Sequence, residues 1–149
     1  MRIVAQRVSQ ASVSVEGRLV SQIGPGLLVL VGVEEGDTQG DARLAAGKVA
    51  GLRVFEDEEG RMNRSLKEIG GQVLAVSQFT LLGDVRHGKR PSFIKAEEPL
   101  RANELYELCV SFIREEGIEC LTGVFRAEMR VSLVNEGPVT ILYDTRKLF

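Results

Sequence analysis

The stretch "LLVLVGV", Leu27 to Val33, runs without a polar side chain. A strand with one wet face alternates apolar and polar residues. A short unbroken apolar run reads instead as a strand covered on both faces. "GPG" at 24–26 breaks the chain just before it. Such a strand belongs inside a sheet, and the flanking sequence supplies its surroundings. Residues 2–16 alternate in part, with Ile3, Val4, Val8, Val13 and Val15 among polar neighbours, and read as one long or bulged strand. Glu16-Gly17 is a turn, and Leu19 to Ile23 returns as the hairpin partner.

Downstream, Asp37 or Thr38 can cap a helix reaching about Arg53, whose Ala42, Ala45, Ala46, Val49 and Leu52 fall at helical spacing. "FEDEEGRMNRSL", residues 55–66, reads as a polar loop. "QVLAVSQFTLL" then gives another strand, buried through Val73, Leu74 and Val76. Pro99 suits the first turn of a second helix, with Glu97 and Glu98 beside its positive end. Leu105, Leu108, Cys109, Phe112 and Ile113 form its apolar stripe, which assigns Cys109 to packing, and Gly117 ends it. Strands over 118–125, 128–134 and 139–143 complete the order β-β-β-α-β-α-β-β-β. The expected fold is a single α+β domain over 1–149, with a largely antiparallel, barrel-like sheet and two helices packed on it.

The chain has 149 residues and a formal net charge of -2, so it can build a real core but does not look made to coat nucleic acid. Contact with one end of an RNA is a separate matter, because local charge decides it. Arg86, His87, Lys89, Arg90 and Lys95 form one basic cluster. No apolar run is long enough to span a bilayer, and Arg2, Gln6 and Arg7 interrupt what a signal peptide would need. Two distant cysteines give no disulfide framework, so the expected compartment is the cytoplasm.

The familiar catalytic sets are missing. His87 is the single histidine, which excludes a His-rich zinc site, and the cysteines form no C-x-x-C pair. "GPGLLVLVG" lacks the ending of a phosphate loop and the spacing of a dinucleotide site. A Ser-His-Asp triad would need His87, which sits among cations with no carboxylate to orient it. Two features remain. "SQFTL", residues 77–81, places Ser77, Gln78 and Thr80 around Phe79 where a buried strand ends, as a self-satisfied strand end or as a pocket rim facing a bound carbonyl. "NEGPVTILYDT", residues 135–145, opens a strand on Gly137-Pro138, as a plain turn or as a backbone device.

"SQFTL" together with "NEGPVT" resembles the signature pair of the D-aminoacyl-tRNA deacylases (D-tyrosyl-tRNA(Tyr) deacylases), a homodimeric family that removes D-amino acids mischarged onto tRNA. The likeness spans the chain and includes "QRVSQASVSVEG" with Arg7, "LLVLVGV", and "GKRPSF" at 88–93. It implies hydrolysis of the D-aminoacyl ester, with no metal or other cofactor, by a homodimer acting on charged tRNA. It implies that the Gly137-Pro138 bond is cis and is inserted into the partner's site as a chirality filter, with Arg7 holding it. Ser77, Gln78, Phe79 and Thr80 would receive the terminal adenosine and the ester. Lys89, Arg90 and Phe93 would lie towards the acceptor stem. Glycine has no side chain for the filter to reject, so glycyl-tRNA, mischarged on tRNA(Ala), is an expected further substrate.

Thr80 resembles a nucleophile by position, yet no base is near it in sequence. Hydrolysis by water, helped by backbone N–H groups near Phe79-Thr80 and the tRNA's own 2′-OH, is the favoured route. Two other classes stand beside this reading. One is a non-catalytic RNA- or amino-acid-binding dimer. The other is a general ester hydrolase using Thr80 or Ser77.

Overall fold

Strand β3, Gly26–Gly32, lies inside the sheet of a computed structural model that describes residues 1–149. Its antiparallel neighbour is β1, Arg2–Val15, and its parallel neighbour is β6, Gln72–Ser77. The hairpin strand β2, Arg18–Ile23, pairs with the far half of β1, and β7, Cys120–Thr122, pairs parallel with β6. The last strand, β8, Arg130–Asp144, runs antiparallel along the other edge of β1. The sheet is thus antiparallel around β1 and parallel around β6, and it curls into a nearly closed barrel.

Side chains of β3 alternate between two apolar clusters. Leu27, Val29 and Val31 join the larger one, while Leu28 joins a smaller cluster with Val13, Ile23, Leu74 and Val76. The larger cluster is covered by helix α1, Gln39–Gly51, and helix α3, Pro99–Glu115. Small residues Ala42, Ala45 and Ala46 let α1 approach closely. Asp41 accepts hydrogen bonds from the Thr38 N–H and hydroxyl at the start of α1, and Glu98 accepts from the Leu100 and Arg101 N–H groups at the start of α3. No helix is long and apolar enough to cross a membrane.

Three expectations are corrected. The stretch 55–66 is not a plain loop. It holds a short hairpin, β4 (Phe55–Glu56) with β5 (Met62–Arg64), and leads into α2, Leu66–Ile69, a single-turn third helix. Asp57 accepts from the Glu59 and Arg61 N–H groups and so turns the hairpin, a side-chain bond that composition does not reveal. The segment 118–125 forms strand only at Cys120–Thr122. The two strands expected over 128–134 and 139–143 are one, because β8 keeps pairing with β1 on both sides of an interruption at Gly137-Pro138.

A buried ionic knot closes the chain ends onto this frame. The Met1 ammonium meets Asp37 Oδ2 at 2.8 Å, both groups being fully buried. It also donates to Thr145 Oγ1. Asp37 further accepts from the Glu34 N–H at 2.8 Å and pairs with Arg146 at 3.1 Å. Asp37→Ala would strand a buried ammonium and is expected to cost about 3–5 kcal/mol. Urea unfolding of the two chains checks this, and a loss below about 1 kcal/mol, the worth of a surface pair, would show the knot to be dispensable.

Candidate active site

Ser77 ends β6, and the chain then bends into a 3-10 turn, Phe79–Leu82. Gln78 is the pivot. Its N–H still donates to the Val31 carbonyl of β3 at 2.8 Å, which makes it the last residue tied to the sheet. The turn is pinned from below by fully buried Leu82 and from the side by Arg2, whose Nη1 donates to the Leu81 carbonyl at 3.0 Å. Two amides are left over: the Phe79 and Thr80 N–H groups donate to no protein acceptor. The first N–H groups of a helical turn have no partner within it, so these two are free for a ligand.

Ser77, Gln78, Phe79 and Thr80 line one wall of a cleft of about 450 Å³. Val33, just past β3, and Ala96-Glu97 also line it, and Phe125, Arg126 and Met129 from the β7–β8 connection supply a second wall. Phe125 is fixed by stacking on Tyr106 at 6.3 Å between ring centres, and the Tyr106 hydroxyl donates to the Ala75 carbonyl at 2.8 Å. Burial pushes the Tyr106 hydroxyl well above its ordinary range, so it stays neutral. Sequence reading missed this second wall. A signal existed in the aromatic of "GVFRAEM" directly before a strand, but only the fold brings it opposite "SQFT".

Thr80 Oγ1 lies 3.0 Å from Gln78 Nε2. A side-chain amide has no basicity at neutral pH, and no histidine or carboxylate contacts the hydroxyl. Neither cysteine offers a substitute nucleophile. Burial is the first cause that pushes the Cys109 thiol up to about 12 and the Cys120 thiol up to about 11.

Phe79 is 55% exposed and meets Phe93 edge-on at 5.0 Å. This contact docks the basic loop beside the strand end. The loop is closed by paired backbone bonds between Asp84 and Ser92. Arg86 folds back onto Asp84 and holds its carboxyl well below the usual carboxylate range. Lys89 and Arg90 are exposed and pair with nothing.

Arg7 and Gly137-Pro138 come together elsewhere. Gln6 faces Thr140 and Val8 faces Asn135, so Glu136, Gly137, Pro138 and Val139 form a bulge opposite Arg7 alone, with Val139 buried in the core. The Gly137-Pro138 peptide is cis, and both residues are exposed. Buried Arg7 donates to the Glu136 carbonyl at 2.9 Å and to the Val54 carbonyl at 2.7 Å. Asn135 Oδ1 takes the Val139 N–H at 3.0 Å. Gly137 has φ +132, and a Cβ there would come within 2.9 Å of the Arg7 guanidinium and 2.8 Å of Val139. The dipeptide does not line its own chain's cleft.

A family model described as D-Tyr-tRNA(Tyr) deacylase matches residues 4–144. The chain belongs to the D-Tyr-tRNA(Tyr) deacylase family. It is 60% identical over 149 residues to a D-aminoacyl-tRNA deacylase of Koribacter versatilis, covering 100% of both chains. A D-aminoacyl-tRNA deacylase of Desulfitobacterium hafniense is 58% identical, again over 100% of each. Among solved structures, the c-Myc DNA unwinding element binding protein superposes with TM-score 0.91 at 38% identity, over 97% of this chain and 99% of the other. These relatives establish a hydrolase that cleaves the ester of D-aminoacyl-tRNA.

Two outcomes follow from the geometry. Gly137→Ala forces the Arg7 grip to shift and strains a φ suited to glycine, so it should cost more than about 1 kcal/mol and lower deacylation, as read by thermal melts and turnover. Iodoacetamide should leave both thiols unmodified in the folded protein at mildly alkaline pH and label them after denaturation, as read by mass spectrometry. Labelling of the native chain would contradict the burial.

Proposed function

We propose that the cleft receives the terminal adenosine and scissile ester of a D-aminoacyl-tRNA, and that Gly137-Pro138 from a second copy completes it as a chirality filter. The carrying observation is the separation of two half-sites. The cleft holds two unused N–H donors but nothing that reads chirality, while the dipeptide is held outward by Arg7 with no cleft of its own. A symmetric dimer gives each cleft one dipeptide. Val134 and Leu142, exposed at 47% and 59% on the same strand, supply apolar surface for such a contact.

The Gly137 and Pro138 carbonyls receive the substrate ammonium, the group that all aminoacyl esters share. Backbone atoms then reject an L side chain, because no rotamer change can relieve the clash. Glycine passes the filter, so glycyl-tRNA mischarged on tRNA(Ala) is also cleaved. Water adds to the ester carbonyl, and the oxyanion is met by the Phe79 and Thr80 N–H groups. Collapse releases the free amino acid and the ribose hydroxyl. The terminal 2′-OH assists, Thr80 positions, and no protein base is required for an ester already so reactive. Lys89 and Arg90 lie towards the acceptor stem, and the enzyme works in the cytoplasm.

The test is hydrolysis of matched D- and L-aminoacyl-tRNA, with D cleaved and L spared. Binding of nucleic acid without turnover, the kind of activity named for the c-Myc DNA unwinding element binding protein, would overturn this reading. Simple aryl esters cleaved as fast as charged tRNA would favour a general hydrolase. Thr80→Ala should keep measurable activity, whereas loss of a true nucleophile costs several orders of magnitude. A tRNA ending in 2′-deoxyadenosine should be a poor substrate. Mixing the impaired Gly137→Ala with an impaired cleft variant such as Phe79→Ala should raise turnover above that of either alone, because one mixed dimer then holds one intact site. No recovery after confirmed subunit exchange would sink the cross-subunit arrangement.

A further inference from the structure

We propose that Arg126 holds the phosphate on the 5′ side of the terminal nucleoside and so sets the register of the tRNA end in the cleft. The inference rests on the reading of the cleft given above. Arg126 is the single cation among the cleft-lining residues, and its guanidinium makes no ion pair or hydrogen bond within the chain. The one carboxylate in the cleft is Glu97, and it is engaged: Oε2 accepts from the Gly36 N–H at 3.2 Å and Oε1 from the Glu98 N–H at 2.9 Å. The arginine is therefore exposed and uncommitted on a wall that must meet a polyanion.

The backbone beneath it strengthens the case. Ala127 N–H donates to the Val124 carbonyl at 3.2 Å, closing a turn over Val124-Phe125-Arg126-Ala127. Arg126 occupies its third position with φ +64. That position ordinarily takes glycine or asparagine, and an L side chain with a long stem is unfavourable there. No hydrogen bond or ion pair of the side chain compensates. An observed outlier of this kind beside a cleft points to use by a ligand. Phe125, locked on Tyr106, fixes the turn, so the guanidinium departs from a rigid base. Its planar fork suits two phosphate oxygens.

The experiment compares two D-aminoacyl esters, one of adenosine and one of adenosine 5′-phosphate extended by a cytidine, with the native protein and with Arg126→Gly. Glycine relieves φ at this position, so the variant should melt no lower than the native protein. Its kcat/KM should fall at least about tenfold further on the phosphate-bearing substrate than on the nucleoside ester, through KM rather than kcat, for loss of one charged hydrogen bond. On full tRNA the salt slope of binding should shrink by about one. Arg126→Lys should recover the salt slope and part of KM. Equal losses on both esters, or no loss on either, overturn the proposal. Failure of the native protein to cleave either ester would instead overturn the reading of the cleft.

Discussion

The coverage of β3 on both faces is the constraint from which the active end follows. A strand with no wet face needs a hydrogen-bonded partner on each edge, and the sequence supplies β1 antiparallel on one side and β6 parallel on the other. A parallel partner demands a long crossover, here α1 and the residues up to α2. That crossover brings Ser77 level with Val31, so that Gln78 spends its N–H on β3 and the next amides have none to bond. Ser77, Gln78, Phe79 and Thr80 thus open at the carboxyl ends of two parallel strands, the place where parallel sheets receive ligands. Gly26 shows how tight the pairing is, since a Cβ there would overlap the Gln72 carbonyl.

The other edge of the barrel obeys a different rule. Along β1 and β8 the ladder slips twice, by a single residue at Ser9 and much further opposite Arg7, where one residue answers four. A buried guanidinium must find acceptors. Arg7 takes the Val54 carbonyl just past α1 and the Glu136 carbonyl at the base of the bulge. The same arginine thereby ties the helical layer to the protruding dipeptide. Removing the side chain would unpin both.

Charge is distributed with a pattern that the net value of -2 conceals. Arg2 is engaged by Asp144, Arg146 by Asp37 and Glu34, and Arg86 by Asp84. Lys89, Arg90 and Arg126 are left without such partners, on the docked loop and on the far wall of the cleft. A mildly acidic protein can present a cationic approach to one site, because local charge and not the net value sets the field there.

Periodicity alone settled much of the architecture. The apolar run of β3, the alanine face of α1 and the Leu105 to Ile113 stripe of α3 bury most of what their spacing says they must, with Leu30 and Leu108 only half-buried. "SQFTL" and the Gly-Pro pair stood out by their residue types, and only their resemblance to the deacylase signatures gave each an expected role. What sequence could not reveal depends on partners far along the chain. The β4–β5 hairpin hangs on an Asp57 side-chain bond, and β8 reads as two strands until β1 is seen to pair with both halves. Arg126 looks like any surface arginine until the fold sets its turn in one cleft with Thr80 and leaves its guanidinium without a hydrogen-bond or ion-pair partner. Local pattern determines which faces are buried, because burial is periodic. Only the tertiary structure decides which buried or exposed polar groups meet, because hydrogen bonds and charges are satisfied in space and not along the chain.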